Sequence, residues 1–414
     1  MNIGKIKTGI SLLLIGAMLS FTVSACAKPA VDLPDGDISG TTVIDTEQTP
    51  ADTSGQSVSD DTSDSGSGSD TDADENTPSI VLDAVSDTTI HTENQKEFLA
   101  MENLYNVSLV ANGTKEQGRP LPIRFSWTDN SERQAVYKAL SISESVDMSE
   151  PYVVITFTND AAVYNLKVGT TYFWKVTSFF KDGSTAESDI SSFTTEDECP
   201  RNLFVDGSTN WRDLGGWTGK NGKKVKQGLI YRTGRLNTSN LNASVAEITA
   251  TGIKEAVSHL KIKTEIDLRG ASESSNITQS VLGENVNYFR FSMNYDSDIM
   301  NTNAEQVRQV FAILSDINNY PVIFHCHIGT DRTGFIAYLI NGLLGVSKQD
   351  LYKDYLFSNF GNIDGSRSMD DISGRYVERI DGLEGRNLSA KIKNYLLSVG
   401  VTEKQIEAVI SIML

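Results

Sequence analysis

Residues 27–79 contain no aromatic side chain and carry 13 acids against one base. From 57 to 75 almost every residue is Asp, Ser, Thr or Gly. Such a stretch cannot bury enough apolar surface to offset the entropy of ordering it, and its like charges extend it. The chain is therefore expected to fold downstream of a solvated acidic spacer. Its 414 residues leave room for two or three domains with full cores. The formal net charge of −18 is concentrated in the front half. Residues 199–414, with 23 acids and 24 bases, are near neutral. The basic stripe of a nucleic-acid binder is absent from the sequence, whereas an anionic small substrate is compatible with it because the local field decides. Three Cys and four His are too few for a disulfide scaffold, a four-thiolate zinc site or a His-rich centre. No metal and no organic cofactor is expected.

The first 25 residues read as an export signal. Lys5 and Lys7 precede an apolar stretch over 10–23, too short for a stable membrane helix. The stretch ends in Val23-Ser24-Ala25-Cys26, which resembles a bacterial lipobox. The resemblance implies cleavage before Cys26 and lipidation of its thiol, hence a lipoprotein on the extracytoplasmic face of a bacterial cell membrane. Acyl chains bury methylenes at about 0.8 kcal/mol each, so a doubly acylated residue is a durable anchor. Residues 26–79 are then the linker.

From 80 to 198 the pattern changes to short alternating runs between turn residues, which predicts an all-β sandwich. Pro122-Ile123-Arg124-Phe125-Ser126-Trp127 places Phe125 and Trp127 on one face. Residues 152–157, Tyr172-Phe173-Trp174-Lys175-Val176 and 190–195 supply further strands. Trp127 ending an early strand, and Leu166-x-x-Gly169-x-x-Tyr172, resemble the fibronectin type III family. The second motif is similar to a tyrosine corner, whose phenol bonds back to upstream backbone. Residues 83–105 fit that repeat poorly and are expected to add a leading strand or helix. The sandwich carries no clustered His, Asp or Cys. Its expected role is a spacer or docking module, with a cell-surface or glycan ligand as its conceivable partner.

The chemistry is concentrated in 199–414, around His325-Cys326-His327-Ile328-Gly329-Thr330-Asp331-Arg332-Thr333-Gly334. An apolar strand precedes this run and a helix-length apolar stretch, 335–344, follows it. Five residues between Cys326 and Arg332 let successive amides curl inward as a nest for an anion, and a helix N-terminus adds positive partial charge at the same place. Arg332 offers a planar fork for two phosphate oxygens. The same donors favour a thiolate at Cys326. Gly329 allows close backbone approach.

The run resembles the loop of the cysteine-based protein tyrosine phosphatase superfamily, and more closely that of bacterial secreted tyrosine and lipid phosphatases with His-Cys-x-x-Gly-Lys-Asp-Arg-Thr-Gly. Three further segments match that family in order: Asn210-Trp211-Arg212-Asp213-Leu214-Gly215-Gly216, then Gly228-Leu229-Ile230-Tyr231-Arg232-Thr233-Gly234-Arg235-Leu236, and Ile266-Asp267-Leu268-Arg269 with Glu273 four positions on. The resemblance implies an α/β domain with a short, mostly parallel sheet and the Cys loop between a central strand and its helix. It implies that Cys326 forms a cysteinyl-phosphate, with Arg332 and the loop amides of His327, Ile328, Gly329 and Thr330 holding the phosphoryl oxygens. Thr333 then donates to the sulfur. His325 orders the loop and, with Arg269, is placed among the substrate-binding residues. The general acid is Asp331 or Asp267, with Asp331 favoured by its place in the loop and Asp267 open to a structural pairing with Arg269. Thr330 stands where the family has Lys, which puts phosphotyrosine and small phosphomonoesters ahead of phosphoinositides. Below about pH 6.5 a protonated His327 beside Cys326 is expected to replace part of that charge. Three rivals stand beside a lipid-anchored phosphatase: a phytase-like inositol phosphatase, a non-enzymatic adhesin with an inactive domain, and a thiol-exchange protein.

Overall fold

The computed structural model describes residues 42–43, 79–111, 119–239, 244–363 and 365–414. The signal, the lipobox with Cys26 and nearly all of the acidic spacer lie outside the described residues. The exception is Thr42–Val43, which pairs as an antiparallel strand with Tyr152–Thr156.

Two antiparallel sheets build the sandwich. One holds Ile80–Leu82, Ile123–Asp129 and Asp160–Val163 in that order. The other runs Tyr152–Thr156, Tyr137–Ser143 and Thr171–Phe179, with Thr185–Glu187 and Ser191–Thr194 both pairing the last of these. Alternation in the sequence becomes inside and outside here: Ile123, Phe125 and Trp127 are buried, and the residues between them are exposed. Phe125 reaches across to Trp174 and Phe193, ring centroids 5.0 and 5.4 Å apart. The Tyr172 hydroxyl accepts the Lys167 N–H at 2.8 Å, the upstream backbone bond that its resemblance to a tyrosine corner implies.

The corner segment is also where the C-terminal domain grips the sandwich. Arg201 Nε donates to the Leu166 carbonyl at 3.1 Å while Nη1 pairs with Asp213 at 2.7 Å. Gln227 exchanges two bonds with Val168, at 3.0 and 2.8 Å.

The leading segment does not join the sandwich sheets as a strand after Leu82. It forms a helix, Glu93–Ala100, with a Thr92–Gln95 capping box. Its buried face packs on the C-terminal domain: Phe98 meets Phe357 and Phe360 at centroid distances of 6.2 and 5.7 Å. Lys353 Nζ donates to the Leu99 carbonyl at 2.5 Å, and buried His91 bonds the Pro200 carbonyl at 2.9 Å. The helix's apolar side thus finds its partners about 260 residues downstream, in the C-terminal domain. Phe98→Ala is expected to lower unfolding free energy by about 3–5 kcal/mol, read by chemical denaturation of the whole chain.

The C-terminal sheet has the order Arg212–Asp213, Ile230–Thr233, Val322–His325, Thr264–Asp267, Asn287–Arg290. Every pairing is parallel except the first. Val322–His325 is central and buried on both faces, as its β-branched and aromatic run requires of a parallel strand. The helix after it, Asp331–Leu343, is buried along its whole length. Helices Ala304–Leu314, Lys348–Leu356, Leu388–Ser398 and Glu403–Met413 complete the domain.

Candidate active site

Cys326 follows the last residue of the central strand and lies at the sheet's carboxyl end, where open α/β sheets place their ligands. The loop from Cys326 to Thr330 has its carbonyls tied outward one after another. His325 Nδ1 meets the Cys326 carbonyl at 3.2 Å, and the Arg235 N–H donates to that of His327 at 3.0 Å. Asn210 Nδ2 donates to Ile328 O at 3.1 Å and to the Thr330 hydroxyl at 3.2 Å. Arg232 Nη2 donates to Gly329 O at 2.8 Å and Thr330 O at 3.3 Å. The amides of Ile328, Gly329 and Thr330 donate to no group among the described residues. A loop whose carbonyls face the scaffold turns its N–H groups to the other side, which is the nest an anion needs. Gly329 has φ +74°, and a Cβ there would lie 2.4 Å from the Thr233 carbonyl oxygen, so only glycine fits.

The scaffold under the loop is a buried charge cluster. Asp354 accepts from Arg212 Nε at 3.2 Å and from Arg232 Nη1 at 2.5 Å, with all three side chains at or below 5% exposure. Arg212 also bonds Asn210 and Ser358. Burial and the neighbouring Arg232 charge push the Arg212 guanidinium down to about 9. Burial by itself raises the Asp354 carboxyl, but the two arginines outweigh it and hold it below the ordinary range.

Arg332 is held in place by Glu273, through a 3.0 Å contact from Nη2 to Oε1 and a second from Nη1 to Oε2. Burial lowers the Arg332 guanidinium, while Glu273 and the Cys326 sulfur together raise it above its usual value. Cys326 and Cys199 are both buried free thiols, and burial pushes the Cys199 thiol up.

The two acid candidates separate. Asp267 is fully buried and forked onto Arg269, with Nε 2.9 and 3.0 Å from its two oxygens and Nη2 at 2.6 Å. Tyr288 adds a phenol donor at 2.8 Å. Burial raises this carboxyl, but the His325 charge and the Arg269 hydrogen bonds bring it to about 2. Its structural pairing with Arg269 is the arrangement observed. Asp331, at the start of the helix, accepts from Tyr355 at 2.9 Å and Arg367 at 3.0 and 3.2 Å, with Arg375 3.6 Å away.

Three expectations need correction. His325 is buried beneath the loop against Glu265, so its ring does not reach substrate. Arg269 is turned onto Asp267 and Asn237, because the buried carboxylate must be paired. Thr333 Oγ1 is buried with no hydrogen-bond partner among the described residues, so the bond to sulfur is not made here. The Thr330 side chain is buried on Asn210, which leaves its backbone amide, the group expected to meet an anion. His327 is exposed beside the loop, its Nε2 2.8 Å from Arg235 Nη1. Asn210, Arg232 and Glu273 stood in the matched segments without an assigned role. Asp354, Tyr355, Arg367 and Arg375 carried no signal, since nothing local marks a residue in a helix or loop as the partner of one far upstream.

A model described as the tyrosine phosphatase family matches residues 203–413. A Cupriavidus necator protein bearing a tyrosine-protein phosphatase name is 29% identical over 185 residues, 39% of this chain and 64% of that protein. The chain thus spans less than two thirds of that relative. A Nostoc commune tyrosine-protein phosphatase is 28% identical over 199 residues, 37% of this chain and 67% of that protein. Among solved structures, Pseudomonas aeruginosa TpbA aligns at 16% identity and a TM-score of 0.27, over 42% of this chain and 86% of that one. The catalytic core of the Saccharomyces cerevisiae PP-IP phosphatase SIW14 aligns at 16% and 0.26, over 40% and 89%. With the family match covering just over half of its residues, this chain belongs to the tyrosine phosphatase family.

Proposed function

We propose that the protein hydrolyses phosphate monoesters, phosphotyrosine foremost, through a cysteinyl-phosphate. The observation that carries this reading is the loop in which successive carbonyls are drawn outward and the amides of Ile328, Gly329 and Thr330 donate to no group among the described residues. In the first step the Cys326 thiolate attacks phosphorus, the S–P bond forms and the ester P–O bond breaks. A proton from Asp331 neutralises the leaving oxygen. In the second step water attacks phosphorus, returns a proton to Asp331 and releases the thiolate. Loop amides and Arg332 stabilise the charge on the equatorial oxygens throughout. Asp331 is the acid of this reading because it belongs to the Cys326–Arg332 run and keeps 8% of its side chain exposed, whereas Asp267 is fully enclosed on Arg269 and Tyr288; to act, Asp331 lets go of Arg367. The anchor is Cys26, and the sandwich, fibronectin type III-like in its motifs, holds the enzyme off the membrane on the extracytoplasmic face.

Arg235, Arg367 and Arg375 around the loop favour one second reading, a substrate with several phosphates. Phosphate release from a phosphotyrosine peptide, a phosphoinositide and inositol hexakisphosphate separates the two. The expected order puts the peptide first, with hydrolysis blocked by vanadate and untouched by a chelator. Chelator-sensitive turnover, or none on any substrate, defeats the proposal, and anion binding without turnover would favour the adhesin.

A further inference from the structure

A cavity of about 690 Å³ opens between the sandwich and the C-terminal domain, away from Cys326. Leu229 and Pro321 line it, and each immediately precedes a strand of the parallel sheet, Ile230–Thr233 or Val322–His325. The cavity therefore lies at the amino ends of strands whose carboxyl ends carry the phosphate loop. Its other wall is the sandwich, through Glu150 and Tyr152 and through Tyr164 and Asn165 beside the corner segment. Small-molecule sites commonly enclose about 300–1,000 Å³ and favour junctions between domains.

Backbone irregularity converges on this cavity. Helix Ala250–Lys254 continues into a π-helical turn, Glu255–His259, and both end residues of that turn line it. Such turns recur at functional sites. Glu150, Asn165 and Lys261 have φ of +47°, +67° and +53°, and all three belong to the lining. Left-handed backbone is costly for residues other than glycine and gathers where a ligand is held.

Polar groups without partners gather at the same place. His259 Nδ1 lies 2.5 Å from Glu255 Oε2 and so carries the hydrogen, while Nε2 is enclosed with no hydrogen-bond partner among the described residues. Native proteins pair nearly all such atoms, which makes this one a marked position. Tyr152 sets its ring edge-on to His259 across the domain junction, centroids 4.5 Å apart. The hydroxyls of Tyr152 and Tyr164 and the Glu150 carboxylate likewise have no hydrogen-bond partner among the described residues.

Charge and shape narrow the ligand. Glu144, Glu150 and Glu255 stand against Lys167, Arg201 and Lys261 in the lining, three negative groups to three positive. A balanced wall gives a strongly charged ligand no net attraction. Phenol donors beside carboxylate and imidazole acceptors suit a molecule whose hydroxyls both give and accept hydrogen bonds, and tyrosine rings cover its C–H faces. We propose that this cavity binds a neutral carbohydrate, held by Glu150, Tyr152 and Tyr164 of the sandwich and by His259 of the C-terminal domain. No residue of the Cys326 loop takes part, so the site stands independently of the phosphatase reading.

Saturation-transfer NMR on the whole chain tests this with glucose, galactose, N-acetylglucosamine and their disaccharides as probes. Transfer to at least one of them is expected, with a Kd on the order of 0.1–1 mM. Orthovanadate, which would occupy the Cys326 loop, should leave the signal unchanged. Tyr164→Ala should weaken binding about tenfold, and Glu150→Gln about threefold. Glu150 is exposed, so Glu150→Gln secures the test if Tyr164→Ala does not fold. Absence of transfer to every sugar overturns the proposal, as does binding that both variants leave at the parent's strength. Glucose 6-phosphate binding more tightly than glucose, and displaced by orthovanadate, would put the sugar in the loop and also defeat it. If sugars bind as expected but no phosphate ester is hydrolysed, the phosphatase reading fails alone.

Discussion

Cys326→Ser is expected to lower the turnover of an aryl phosphate by on the order of 1,000-fold or more, with the fold and anion binding retained. The hydroxyl is a far poorer nucleophile than a thiolate, and it has no adjacent base to activate it. In that step Asp331 carries the proton for the leaving oxygen and so cannot accept one, and His325 lies beneath the loop with both nitrogens occupied. Arg332 stays forked on Glu273, and the loop carbonyls stay tied to Asn210 and Arg232, so orthovanadate or tungstate should still bind. Steady-state kinetics with calorimetric titration of tungstate checks both halves. Full turnover in the variant would remove Cys326 from the mechanism, and lost anion binding would mean the loop itself had collapsed.

Asp354→Ala should produce the largest loss of stability in the C-terminal domain, about 3–5 kcal/mol, because it strands the buried Arg212 and Arg232 guanidiniums without their shared carboxylate. Activity should fall with it, since Arg232 would lose the partner that aims it at the Gly329 and Thr330 carbonyls. The pH dependence has a definite sign. The folded Asp354 carboxyl sits below its ordinary value, so its contribution is complete above that value and is lost as pH falls through the folded one. The variant should therefore lose part of the parent's acid limb below about pH 4. Thermal melts from pH 7 to pH 3 measure both effects. A parent-like melting temperature would show that the cluster is not what holds the loop.

Much of this arrangement was written locally. The run of Val322, Ile323 and Phe324 before Cys326 could only be a buried strand, and the apolar stretch after Arg332 could only be a buried helix. The glycine at 329 marked the close turn between them. Alternation at Phe125 and Trp127 likewise announced the sandwich face. These are short-range consequences of period, chirality and excluded volume, which a single chain displays in order.

Partner choice was decided elsewhere. Sequence favoured Asp331 over Asp267 only by its place in the loop, left Asp267 open to pairing with Arg269, and offered Arg269 as a substrate contact. Burial separated them, since a fully enclosed carboxylate must find a guanidinium and Arg269 was the nearest. The helix at 93–100 showed an apolar side but not what it faces, and Phe357 and Phe360 are known as its partners only once the chain has closed on itself. The sequence by itself determined the strand, the loop and the helix, and put Cys326 at the head of that loop. Only the tertiary structure decided which charges share a buried space, because electrostatic pairing depends on distance and desolvation, and neither is a property of positions along a chain.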